Sequence, residues 1–299
     1  LKEKTNIRKF FARVISALVP NKFLRHRVRG LIEFGLTRAA RIARQNRTMR
    51  AILPAHYLTV CAIAKNEGSY FSEWIEWHTN LGVEKFYIYD NESMDATREI
   101  LQPHIDSGLV EYHFIAGKKK QTAAYDDCLA RHRYDSRWIA FIDIDEFIIP
   151  IKNKTIPEFL KDFEKFAAVE INWLCYGSGG AKTRVPGKVM ERFRTHSHPD
   201  SDLNRHIKTI LNPRLALNFI SSHHPTLLSG RTVDTSGHTV RQYFFKRPPL
   251  HDKIRINHYA VKSYEEFLEK KKRGRGMSLN SRELDYFDKF DRNELTDDR

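Results

Sequence analysis

The sequence predicts an α/β protein: an open, mostly parallel sheet with helices on both faces, preceded by a basic helical extension. Three observations carry that prediction. First, four apolar, β-prone runs at 57–64, 85–89, 110–115 and 138–142 alternate with helix-period stretches, the grammar of strand–helix–strand units. Second, the last run, Trp138-Ile139-Ala140-Phe141-Ile142, is apolar without alternation, as in a strand buried on both faces. Third, the runs end in polar groups: Lys65-Asn66-Glu67, Asp90-Asn91-Glu92, Gly117-Lys118-Lys119-Lys120 and Asp143-Ile144-Asp145. Right-handed crossovers place such ends along one sheet edge, where open α/β sheets bind their ligands.

The basic charge is not spread evenly. The formal net charge is +14, yet residues 1–50 hold 14 Lys/Arg against Glu3 and Glu33, while the other 249 residues hold 37 against 35 acids. Ile7, Phe10, Phe11, Val14, Ile15 and Leu18 keep helical spacing, and a second basic helix is predicted over 22–47. Such helices suit an anionic membrane surface or a packed, solvated face; nucleic acid is not the expected partner. No apolar run approaches membrane-spanning length, and Cys61, Cys128 and Cys175 are too far apart for a disulfide or zinc framework. A cytoplasmic setting, peripheral on the inner membrane face, is the expectation. The body at 57–262 divides into halves at 57–150 and 151–262, followed by a helical tail at 263–299.

Within the body, a helix is expected over 69–80 with Tyr70, Phe71, Trp74 and Trp77 as its core stripe, stopped by Gly82. Ser93 is the expected N-cap of the next helix, and a third helix covers 122–133. The chemistry concentrates after the fourth run, where Asp143, Asp145 and Glu146 fall within four positions. Ionised carboxylates this close repel, and a hard divalent cation, Mn2+ or Mg2+, would supply the missing charge. In an extended Asp-x-Asp the side chains leave opposite faces, so a shared metal requires the strand to end and turn there. No Gly-x-Gly-x-x-Gly and no P-loop pattern is present.

These segments resemble a known family. Asn66-Glu67 followed by Asp90-Asn91-Glu92-Ser93-Met94-Asp95-Ala96-Thr97 is similar to the Asp-x-x-Ser-x-Asp-x-Thr signature of family 2 glycosyltransferases, and Asp143-Ile144-Asp145 stands where their Asp-x-Asp stands. Glu73-Trp74-Ile75-Glu76-Trp77-His78, Phe86-Tyr87-Ile88-Tyr89-Asp90-Asn91, Tyr176-Gly177-Ser178-Gly179-Gly180 and Ile256-Asn257-His258-Tyr259 resemble glycosyltransferase family 92 more closely. The resemblance spans roughly 57–275. It implies a GT-A (Rossmann-like) fold and a metal-dependent, inverting transfer from a nucleotide sugar, a UDP-sugar by family precedent, to a glycan or lipid-linked acceptor.

The resemblance also implies roles. Asp90 and Asn91 would meet the base, with Ala64, Lys65, Asn66 and Glu67 lining base and ribose. Asp143 and Ile144 would lie at the donor, and Asp143, Asp145 and a late His258 would hold the metal. Lys118, Gln121 and Asp127 are candidate donor contacts; a solvated loop and helix capping are the alternative readings. Gly177–Gly180 would be a mobile loop over the sugar. Lys208, Arg214, His223 and His224 are weaker candidates, and Glu191 and Asp234 are candidates for the general base. Two rivals stand beside this reading. One is a Mg2+-dependent phosphohydrolase with Asp143 as nucleophile; the other is a non-enzymatic basic adaptor working through residues 1–50.

Overall fold

The computed structural model describes residues 2–20, 22–240, 245, 247–274 and 285–297. Its elements in chain order are α1 (Lys2–Ala17), α2 (Lys22–Phe34), α3 (Leu36–Thr48), β1 (His56–Ala64), α4 (Gly68–Asn80), β2 (Lys85–Asp90), α5 (Thr97–Asp106), β3 (Val110–Phe114), α6 (Gln121–His132), β4 (Ser136–Phe141) and β5 (Glu146–Pro150). They continue with α7 (Ile156–Lys161), β6 (Ala168–Cys175), α8 (Val189–Arg192), β7 (Thr195–His196), β8 (Ile207–Leu211), β9 (Ala216–Phe219), β10 (Pro225–Leu227), β11 (Thr232–Val233) and β12 (Ile254–His258). The last are α9 (Tyr264–Arg273), α10 (Asp285–Phe290) and β13 (Leu295–Thr296).

The main sheet runs β3-β2-β1-β4-β8-β6-β12-β5, with β11 beside β6. Strands β3, β2, β1 and β4 are parallel. Strand β8 is antiparallel to β4 and to β6, and β5 is antiparallel to β12. The predicted open, mostly parallel sheet is present, with antiparallel insertions in its second half. Period-2 geometry sends successive β1 side chains to opposite faces, both of which are buried. Leu58, Val60, Ala62 and Ala64 pack under Trp74 and Phe86 on the α4–α5 face, while Cys61 and Ile63 join Tyr87, Tyr89 and Tyr125 on the α6 face.

Local signals account for most helix ends. Gly82, at φ 94°, follows α4 in the left-handed region that terminates helices. Ser93 does not cap a helix: α5 starts at Thr97, and the Ser93 hydroxyl accepts instead from the Asn66 N–H at 2.9 Å. The single helix expected over 22–47 is two, because Gly35 adopts φ 96° between α2 and α3. The extension is also not detached. Phe34, Ala39 and Ile42 pack on Leu217, and Asn46 donates to the Arg214 carbonyl at 2.6 Å. Helix α1 packs on α2 and leaves Phe10, Phe11 and Leu18 exposed. Among the described residues no helix is long and apolar enough to cross a membrane.

Candidate functional site: an acidic sheet edge closed by lysines

Strand β4 ends at Phe141 and the chain turns through 142–145 before β5, as a shared carboxylate site requires. The Glu146 N–H closes that turn on the Asp143 carbonyl at 3.1 Å. Helix α4 pins the start of β5: Trp74 and Trp77 donate their indole N–H groups to the Glu146 and Ile148 carbonyls at 2.9 and 3.0 Å. Buried His78 completes the clamp, bonded through Nδ1 to the Trp74 carbonyl and accepting the Ile148 N–H at Nε2. Burial depresses its pKa to about 4, so it is neutral at pH 7. The acids therefore stand on a loop fixed at both ends.

Side-chain ammonium groups supply the expected positive charge. The fully buried Lys208, from β8, lies 2.8 Å from Asp143 and 3.5 Å from Glu146. Lys270, from α9, pairs with Asp145 and donates to the Ala260 carbonyl at 2.6 Å. Burial alone would raise the Asp145 pKa; Lys270, then His258, outweigh it and hold the carboxyl well below its ordinary range. Glu146 goes the other way: burial, reinforced by Asp143 and Asp145, lifts it well above the ordinary value despite Lys208. The two adjacent buried carboxyls are thus driven in opposite directions, Asp145 down by its cationic neighbours and Glu146 up by burial.

The predicted metal triad is rearranged. Ligand atoms of Asp145, Glu146 and His258 lie within 4.8 Å of one another, whereas Asp143 turns to Gln121 at 2.7 Å and Tyr125 at 3.3 Å. His258 Nδ1 and Glu146 Oε1 are buried without a hydrogen-bond partner. Two carboxyl groups and an imidazole, two of the three with an unsatisfied buried atom, fit a divalent cation such as Mn2+, for which Lys270 competes at Asp145.

A cleft of about 820 Å3 opens beside this edge, lined by Lys65, Tyr70, Arg184, Lys262, Lys270 and Arg273 among others. Arg273 reaches over to Glu67 and the Asn66 carbonyl, and Lys262 lies 4.1 Å from the Tyr70 ring centroid. Asn66 and Lys65 line the same cleft, while Ala64 is buried at the end of β1. Asp90 is fully engaged: its carboxylate accepts the Ser93 N–H at 2.9 Å and the Tyr112 hydroxyl at 2.6 Å. Asn91 braces the following loop through the Ile115 and Gly117 carbonyls.

The sequence profile of glycosyltransferase family 92 matches residues 56–298. The chain belongs to that family. A family 92 protein of Oryza sativa subsp. japonica is 28% identical over 230 residues, 72% of this chain and 35% of that protein. The galactan beta-1,4-galactosyltransferase GALS3 of Arabidopsis thaliana is 30% identical over 128 residues, 37% of this chain and 25% of that protein. The chain spans about a third or less of the length of these curated relatives. The crystal structure of S. aureus TarS with UDP-GlcNAc aligns at 14% identity and a TM-score of 0.43, over 78% of this chain and 64% of that one.

Several predicted family residues lie elsewhere. Ile144, in the turn between β4 and β5, is buried in the core and packs with Ile142 and Phe147 in the main apolar cluster. Asp127 belongs to a separate group, accepting from the Tyr89 hydroxyl at 2.9 Å and Arg131 at 2.6 Å. Lys118 is exposed on its loop. Neither general-base candidate joins the acidic edge. Glu191 is exposed on α8, which Glu73 anchors to α4. Asp234 closes a turn by accepting from Ser236 and His238, next to β11 at the far end of β6. Arg214 holds the Met49 and Ile52 carbonyls, and His223 is half-buried with Nδ1 on the Ile207 carbonyl. The Gly177–Gly180 loop is tied down: Ser178 and Gly179 N–H groups bond Asp291 and Asn293, and a Cβ on Gly177 would meet the Arg292 carbonyl at 2.3 Å.

Lys270 was hidden in a basic run that reads as a solvated face. A signal was present: Ser263 and Glu266 form a capping box, which sets the register of α9. Lys270 then falls one turn beyond buried Phe267, on the inward side.

Proposed function

We propose that this chain transfers a sugar from a nucleotide-sugar donor, a UDP-sugar, to a glycan or lipid-linked acceptor with inversion. One observation carries the reading: within the stretch 56–298 that matches family 92, the acidic segment 143–146 closes an interior strand beside a cationic cleft. The donor diphosphate would lie at this edge, with Lys262, Lys270 and Arg273 facing its charge as the nucleoside diphosphate departs. Asp145, Glu146 and His258 would hold Mn2+ or Mg2+, which supplies Lewis-acid stabilisation of the leaving group when bound. Lys270 would move from Asp145 toward the diphosphate as that charge enters.

The exposed apolar side of α1, with Phe10, Phe11 and Leu18 among basic residues, supports docking on an anionic membrane at its cytoplasmic face, the side where a lipid-linked acceptor would be met. Sedimentation with phosphatidylglycerol vesicles should be lost in a Phe10→Ser/Phe11→Ser variant; equal sedimentation of both would remove this part. For the activity, the protein is assayed against UDP-sugars with Mn2+ and a lipid or oligosaccharide acceptor. Release of UDP only with acceptor present supports transfer. Absence of both UDP release and donor-induced thermal stabilisation across the panel contradicts it.

A further inference from the structure

A second cluster of ligating side chains lies on the outer part of the sheet, three strands from the acidic loop. Glu111 and His113 sit two apart on edge strand β3 and so project from one face, toward α6. His132, in the last turn of α6, meets them. Glu111 Oε1 lies 3.1 Å from His113 Nε2 and 3.4 Å from His132 Nε2, and all three ligand atoms fall within 4.8 Å of one another. Despite that proximity, neither Nε2 atom has a hydrogen-bond partner, and both are buried. The oxygen lies beside both nitrogens without lying along either N–H direction. Donors about 2.0–2.1 Å from a tetrahedral zinc are separated by roughly 3.3 Å, close to the two distances here.

The surroundings are built for ligation. His132 Nδ1 bonds Asp135 Oδ2 at 2.9 Å, which fixes the ring and leaves the Nε2 lone pair facing the cluster. Tyr87 stacks on His132 at 3.7 Å between centroids and Tyr89 on His113 at 4.7 Å, holding both rings. Of the two arginines flanking His132, Arg131 is taken up by Asp127, whose carboxylate also holds the Tyr89 hydroxyl, and Arg133 donates to the Pro213 and Ala216 carbonyls. Glu111 is partly open to solvent, which leaves an entry path and a fourth position for water.

We propose that Glu111, His113 and His132 form a site for a zinc-class divalent cation that ties edge strand β3 to α6, separate from the acidic edge. The test uses the full chain, freed of metal by chelation and dialysis, and titrated with Zn2+ by calorimetry and with Co2+ by absorption spectroscopy. Wild type and Asp145→Asn should each bind one ion here, with visible bands of tetrahedral cobalt. Glu111→Gln and His113→Gln should each weaken binding tenfold or more with an unchanged far-ultraviolet spectrum. Glu111 is partly exposed on an edge strand, so its variant carries the test if His113→Gln fails to fold. Absence of zinc uptake by wild type overturns the proposal. So does uptake that survives Glu111→Gln unchanged, or that disappears in Asp145→Asn.

Discussion

Replacing Lys270 by Met leaves the Asp145 carboxylate buried without its main counter-ion. Both residues are nearly inaccessible, 6% and 5% exposed, so water cannot take over from the ammonium group. Removing one partner of a buried pair costs roughly 3–5 kcal/mol, because the remaining charge is stranded. With a urea dependence of about 2–3 kcal/mol/M, the midpoint should fall by roughly 1–2 M at pH 7. The pH dependence has a definite sign. In the wild type Asp145 is depressed, so its contribution is present above its unfolded value of 3.8 and lost as pH falls through the lower native value. In the variant burial dominates and Asp145 rises, so protonation relieves the stranded charge on acidification. The difference between the two proteins is therefore widest near neutrality and narrows toward pH 4. Urea unfolding from pH 4 to 8 measures it. Adding Asp145→Asn to the variant should recover most of the loss, and Mn2+ should stabilise the Lys270→Met protein more than the wild type. A loss below about 1 kcal/mol at pH 7, or no recovery in the double variant, would refute the pairing argument.

Glu191→Gln and Asp234→Asn should each leave kcat within about threefold of wild type, since neither side chain reaches the acidic edge; a loss of about a hundredfold in either would return it to the reacting atoms. His78 has a native pKa of about 4 against an ordinary value of 6.5. Between those values the unfolded chain binds a proton that the native chain does not, so stability falls as pH drops from 6.5 toward 4, by up to roughly 3 kcal/mol. A His78→Gln variant should lose this slope in urea titrations at pH 7 and pH 5. An unchanged slope would assign the acid sensitivity to other groups.

The first half of the body was legible because its signals are local. The four β-prone runs became β1, β2, β3 and β4 with ends shifted by one or two residues, and Gly82 stopped α4 where expected. A turn at Asp143–Asp145 was expected so that the two could share a ligand; the turn is present, but Asp145 clusters with Glu146 and His258 instead. The expectations that failed depended on partners distant in sequence. Ser93 has the composition of a cap, but Asn66, 27 residues earlier, takes its hydroxyl. Asp143 was grouped with Asp145 by adjacency, yet Gln121 and Lys208 turn it to the α6 side. Lys208 and Lys270 come from β8 and α9, so no spacing near the acids could reveal them.

The central claim is that the edge holding Asp145, Glu146, His258 and Lys270 receives a nucleoside diphosphate together with a divalent cation. Calorimetric titration of UDP into the wild type and into Asp145→Asn, each with Mn2+ and with EDTA, tests it most directly. Mn2+ should tighten UDP binding at least tenfold in the wild type, about 1.4 kcal/mol, and Asp145→Asn should abolish the enhancement. UDP affinity that is equal with Mn2+ and EDTA, and equal in the two proteins, would contradict it.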